Sequence, residues 1–145
     1  MTKRRQAREW AVQFLFQNDF NPADPEQALP NFWEGKVADR KAREFTETLV
    51  RGVLSNLEKI DGLLKQYAEN WEIKRMNAVD RNVIRLALFE MLFMLDIPPV
   101  VSINEAVDVA KLYGSPDSGK FVNGILDRAL KDVHRPSREA VTRPS

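Results

Sequence analysis

Between Val83 and Ile97 the chain has an apolar residue on nearly every side of a helical wheel, through Leu86, Ala87, Leu88, Phe89, Met91, Leu92 and Phe93. A helix with no polar face of its own has to be enclosed by other elements, so this segment, read as a helix from about Asn77 to Leu95, is the expected centre of the fold. It falls short of the roughly 20 apolar residues that a bilayer span requires, and it carries Arg85 and Glu90. No membrane association is expected. Alternation of apolar and polar residues long enough for a sheet occurs nowhere, and the predicted fold class is all-α.

The enclosing helices are legible from spacing and punctuation. Ala7, Ala11, Phe14, Leu15 and Asn18 form one face of a first helix, about Thr2 to Asn18, with Trp10 and Phe16 at its sides. Asn21-Pro22 ends it, and Asp24 followed by Pro25 opens a short helix to about Trp33, stopped by Gly35. From Ala38 to Tyr67 a single stripe runs through Phe45, Leu49, Val53, Leu57, Ile60 and Leu64; it reads as one long helix or as two divided at Gly52 or Gly62. After Pro98-Pro99, the Ser102-Ile-Asn-Glu105 run has the spacing of a capping box and predicts a helix from there to about Tyr113. Gly114 closes it, Ser115-Pro116 begins the next, and Phe121, Val122, Ile125, Leu126, Ala129 and Leu130 give that last helix its apolar face. One domain is expected over residues 1–134, with 135–145 a tail lacking periodicity and expected to be disordered.

Composition removes several classes of chemistry. The absence of cysteine excludes disulfides and thiolate metal sites, and together with a polar N-terminus it points to the cytoplasm. A single histidine, His134, lies at the edge of the tail, which argues against a Ser-His-acid triad and against zinc. Gly114 to Lys120 has the G-x4-G-K spacing of a phosphate-binding loop, but Phe121 stands where a magnesium-binding Ser or Thr is needed. The preceding segment is also helical rather than a strand. Glu105 with Asp108 reads as a solvated face or cap rather than an acid/base pair. No catalytic residue, metal or cofactor is expected, and the chain is read as a non-enzyme.

Charge is distributed unevenly. Lys3, Arg4, Arg5 and Arg8 supply +4 before the first acid, Glu9, in a chain whose net charge is only +1. Cations on the first turns of a helix oppose its dipole, a cost that RNA phosphate contacts beside Trp10 would explain, although a solubilising N-terminus explains it equally well. Lys120, at a helix start with Asp117 and Ser118, is a second basic point that spacing alone assigns to helix initiation rather than to anion binding.

Three stretches carry a resemblance: Arg4-Arg-Gln-Ala-Arg8-Glu9 into Ala11-Val-Gln-Phe-Leu-Phe16; Asp80-Arg-Asn-Val-Ile-Arg-Leu-Ala-Leu-Phe-Glu90 with Pro98 and Ile103-Asn-Glu-Ala106; and Asp117-Ser-Gly-Lys-Phe-Val-Asn-Gly-Ile-Leu-Asp127. They resemble the NusB family over Arg4 to about Asp132, with Gly119 and the Arg81-Asn82 pair as departures. The resemblance implies two helical bundles sharing one core, about seven helices. It also implies a role in transcription antitermination on ribosomal RNA, in a complex with RNA polymerase. The implied partners are NusE, a small-subunit ribosomal protein, and single-stranded boxA RNA, with self-association into a homodimer left open. Carried over by motif position, the RNA side comprises Lys3, Arg4, Arg5, Arg8, Asp117, Ser118 and Lys120, where Asp117 would trim non-specific binding by repulsion. The NusE side comprises Phe16, Asp80, Arg81 and Phe121. Two alternatives stand beside this reading: the NusB-like domain of a ribosomal RNA cytosine methyltransferase, for which no methyl-donor glycine loop is found here, and a protein-only helical scaffold.

Overall fold

The computed structural model describes residues 2–69 and 71–141. Seven α-helices and one 3-10 turn make up the regular structure of these residues, and no strand occurs among them. The helices are α1 (Lys3–Phe20), α2 (Pro25–Trp33), α3 (Arg40–Ser55), α4 (Leu57–Ala68), α5 (Ala78–Phe93), α6 (Pro99–Tyr113) and α7 (Ser118–Leu130), with the turn at Ile73–Arg75.

The expectation for the centre holds. Helix α5 is buried from Asn82 to Met91 without interruption and packs against α1, α3, α4, α6 and α7. Around it, α1 lies on α3, and α6 on α7, so two groups of helices share one core through α5. Each Leu or Ile enclosed there, such as Leu15, Leu49, Ile84 and Ile125, stabilises the fold by about 1.5–3 kcal/mol relative to exposure.

The caps explain most boundaries. Thr2 Oγ1 accepts from the Arg5 amide to start α1, Asp24 from Glu26 to start α2 ahead of Pro25, and Asn77 from Val79 to start α5. Aromatic rings fix α2 onto α1: Trp10 meets Trp33 edge-on at 5.3 Å, and Phe14 meets Phe32 at 5.4 Å. Trp10 therefore serves packing, half-buried, rather than standing free beside the arginines.

Two helix boundaries differ from the sequence expectation. The long Ala38–Tyr67 stripe is two helices, but the break falls at Asn56 rather than at either glycine. Asn56 departs from helical geometry (φ −117°, ψ 19°), and its side-chain amide and its backbone amide both reach the Gly52 carbonyl. Gly52 instead admits the Phe89 ring, whose nearest carbon would stand 2.1 Å from a Cβ at that position. The capping box at Ser102 does not form. Helix α6 begins three residues earlier with Pro99 at its first position, and Ser102 is buried in its interior. There its hydroxyl donates to Glu90 Oε1 at 2.9 Å. A serine three residues before a glutamate is as compatible with a helix interior as with a start, and Pro99 carried the boundary signal.

The segment after α7 also departs from its compositional reading. Ser137 O accepts from the Val100 amide at 2.9 Å, and the Val141 amide donates to Leu95 O at 2.7 Å. Arg135 donates to the carbonyl of Met91 in the last turn of α5 and to those of Leu95 and Ile97 in the loop that follows it. Residues 142–145 of the expected tail lie outside the described residues.

Candidate nucleic-acid interface

The arginine-rich first turns of α1 divide by direction. Arg8 points inward and is only 3% exposed. Its Nε and Nη2 donate to Glu90 Oε2 and Oε1 at 2.9 and 2.7 Å, a forked pair in which Glu90 is 1% exposed. Ser102 completes the Glu90 shell from α6, so this cluster joins α1, α5 and α6 through satisfied charges. Arg8, assigned to the RNA side by resemblance, is thus enclosed in the interior, where it fixes α1 against α5 and α6. Helical spacing puts Arg8 on the same face as Ala11 and Leu15, which is the signal that could have separated it.

Lys3, Arg4 and Arg5 stand on the accessible side. Lys3 Nζ lies 3.4 Å from Asp39, and Arg4 Nη2 lies 3.4 Å from Asp96, with the Arg4 guanidinium over the Phe45 ring at 4.8 Å. Arg5 bonds Glu105 and lies 2.8 Å from Asp108. These acids come from the α3 N-cap, the α5–α6 corner and α6, and they offset the dipole penalty that sequence alone left uncompensated.

The Gly114–Lys120 turn contains no phosphate cradle. Gly114 ends α6, and a Cβ there would stand 2.3 Å from Ser118 Oγ, so the glycine allows the turn to close on that serine. The Ser115 amide donates to Ser118 Oγ at 2.8 Å, and Ser118 is 1% exposed. Ser118, assigned to the RNA side by resemblance, is therefore buried where it shapes the turn, while Asp117 and Lys120 are exposed at its surface.

The residues assigned to a protein partner split the same way. Phe16 is partly exposed beside Phe20, ring to ring at 5.1 Å, and lines a groove of about 540 Å³ with Gln6, Glu9, Gln13 and Tyr113. Phe121 is half-buried and meets the exposed Trp71 edge-on at 5.5 Å. Asp80 is buried, 5% exposed, and burial raises its carboxyl above the ordinary value against the lowering effect of a Ser118 hydrogen bond. Arg81 is spent internally: its Nη2 is 2.9 Å from Asp19, and its Nη1 donates to the Ile73 and Met76 carbonyls. Asp80 and Arg81, assigned to the partner side by resemblance, are thus largely enclosed and bonded within the fold.

Sequence reasoning missed the hub of that scaffold. Asp19, at the end of α1, accepts from Arg81, Asn82 and Arg85, and Arg85 also forks onto Asp61 of α4 at 2.7 and 2.8 Å. Burial alone would raise the Asp19 carboxyl, but the bonds donated by Asn82, Arg85 and Arg81 outweigh it and hold the group below its ordinary value. Arg85 inside an apolar helix was the available sign that a buried acid must face it.

The sequence model of the NusB family matches residues 5–131. The transcription antitermination protein NusB of Desulforamulus reducens is 46% identical over 135 residues, covering 92% of this chain and 94% of that protein. Among solved structures, T. maritima NusB superposes with a TM-score of 0.83 at 44% identity, covering 97% of this chain and 94% of that one. A structure of the antitermination factors NusB and NusE in complex with dsRNA contains a chain matching at TM-score 0.82 and 29% identity, covering 91% of this chain and 98% of that one. With an enclosed α5, an arginine-bearing α1 and a match running from the first helix to the last, this chain belongs to the NusB family.

Proposed function

We propose that this chain is an RNA-binding transcription antitermination factor that pairs with NusE to hold boxA RNA during ribosomal RNA transcription, in a complex with RNA polymerase in the cytoplasm. It acts by binding, without catalysing a reaction. The observation that carries the proposal is the outward set Lys3, Arg4 and Arg5 on a first helix locked in place by Arg8, in a chain whose relatives are antitermination proteins. These three cations would neutralise phosphates, Lys120 would add a fourth contact, and Asp117 would repel poorly fitting RNA. Phe16 and Phe121, the assigned partner residues that keep accessible ring surface, would contact NusE.

The protein-only scaffold is kept as a second reading because each outward cation already has a carboxylate partner. Size-exclusion chromatography of the chain with NusE and a fluorescent boxA RNA separates the two. An antitermination factor gives a peak containing all three components, and a scaffold gives a protein pair with RNA eluting alone. Running a duplex RNA in parallel reports which form is held, since the related complex contains double-stranded RNA.

A further inference from the structure

We propose that the exposed carboxylates facing the basic turns of α1 compete with RNA phosphate, so that Asp96 and Asp108 set how tightly and how selectively the chain takes RNA. The inference rests on the RNA-binding reading above and concerns residues that reading does not use.

The tertiary fold assembles the competition. Arg4 meets Asp96 at 3.4 Å from the corner between α5 and α6, and Arg5 meets Asp108 at 2.8 Å from the outer side of α6. Both acids lie more than 90 residues from their partners in sequence. Each acid holds one terminal nitrogen of its guanidinium, Nη2 of Arg4 or Nη2 of Arg5, a donor that a phosphate oxygen could equally take.

The core does not require these two acids. Their side chains are 62% and 50% exposed, and exposed ion pairs contribute little to folding. The other carboxylates nearby are tied into the fold: Asp39 caps α3 through the Lys41 and Ala42 amides, and Glu105, which also bonds Arg5, lies 3.7 Å from Arg8 and so links that arginine to the interior cluster. Phe45 under the Arg4 guanidinium keeps that side chain beside Asp96 instead of reaching freely into solvent.

A phosphate that displaces Asp96 or Asp108 exchanges one charge-assisted bond for another and leaves a carboxylate beside the RNA backbone. A run of phosphates alone therefore gains little. Net affinity falls to contacts that come with the bases or with a second protein, which is how repulsion is converted into selectivity.

The test is fluorescence anisotropy of a short single-stranded RNA of scrambled sequence with the full chain. It compares the parent, the double variant Asp96→Asn/Asp108→Asn, the double variant Arg4→Ala/Arg5→Ala, and a charge-matched control, Glu58→Gln/Glu72→Gln, in which two exposed acids on or after α4 are neutralised. Thermal unfolding of all four establishes that each is folded. The first variant is expected to bind on the order of 5- to 10-fold tighter at low salt, with the control changed by less than about 2-fold. Asp96→Asn leaves Arg4 without a carboxylate while Arg5 keeps Glu105, so the log-log salt slope should steepen by about 0.7, the contribution of one phosphate on a single strand. If the first variant binds no tighter than the parent or the control while Arg4→Ala/Arg5→Ala weakens binding, the competition is overturned and RNA binding by this segment stands. If the arginine variant is also unchanged, the RNA-binding role of the segment falls with it.

Discussion

At the scale of single residues, two arginines four positions apart have opposite duties. Arg8 is enclosed with Glu90, so Arg8→Ala leaves a buried carboxylate without its charge partner and should cost about 3–5 kcal/mol in urea unfolding. Arg4→Ala removes an exposed pair and should cost no more than about 1 kcal/mol. Asp80 gives a prediction in pH. Its folded carboxyl is raised above the unfolded value, so the stability it contributes is present below the unfolded pKa, about 3.9, and is lost as pH rises through the folded value. Asp80→Asn escapes that loss and should be more stable than the parent at neutral pH. The advantage should vanish in acid, as unfolding curves at pH 7 and pH 3 would record. Equal stability differences at both pH values would show that Asp80 is comfortable when charged. The arginine-rich run was legible in sequence, and spacing with Ala11 and Leu15 marks Arg8 as its inward member; the carboxylate that receives it was not legible, because Glu90 lies 82 residues away.

At the scale of elements, the two glycines of the α3–α4 stripe make a matched experiment. A Cβ at position 52 would overlap the Phe89 ring, so Gly52→Ala forces α3 away from α5 and should destabilise by about 1–3 kcal/mol. A Cβ at position 62 meets nothing within 4 Å, so Gly62→Ala, inside α4, should stabilise by roughly 0.5–1 kcal/mol through helix propensity. Both are read from denaturant midpoints. Loss of stability at both positions would place an element break at Gly62 after all. Helix identity was legible wherever apolar spacing met a local stop, as at Pro25, Asn77 and Gly114. It failed at Asn56 and Ser102, where the deciding contact is a side chain folding back on its own helix or one reaching a buried glutamate on another. Polarity alone does not distinguish a surface serine from one satisfied inside.

At the scale of the whole molecule, the enclosed α5 was the most readable feature and determines the rest. A helix without a polar face needs neighbours all round, and α1, α3, α4, α6 and α7 supply them. The candidate interface was readable only in part. The cations and exposed rings announce themselves by type, but Asp96 and Asp108 come to the basic turns through folding, and the Asp19 hub joins α1, α4 and α5 across more than 60 residues. The resulting molecule presents a basic end whose outward cations are each paired with an acid. The measurement that bears most directly on this is the anisotropy of a boxA RNA titrated with the chain, with and without NusE, for the parent and for Arg4→Ala/Arg5→Ala. The account predicts weak binding alone, binding at least about 10-fold tighter with NusE, and loss of about 1–2 kcal/mol in the variant, most of it recoverable as salt dependence. Binding unchanged by NusE and indifferent to the two arginines would contradict it.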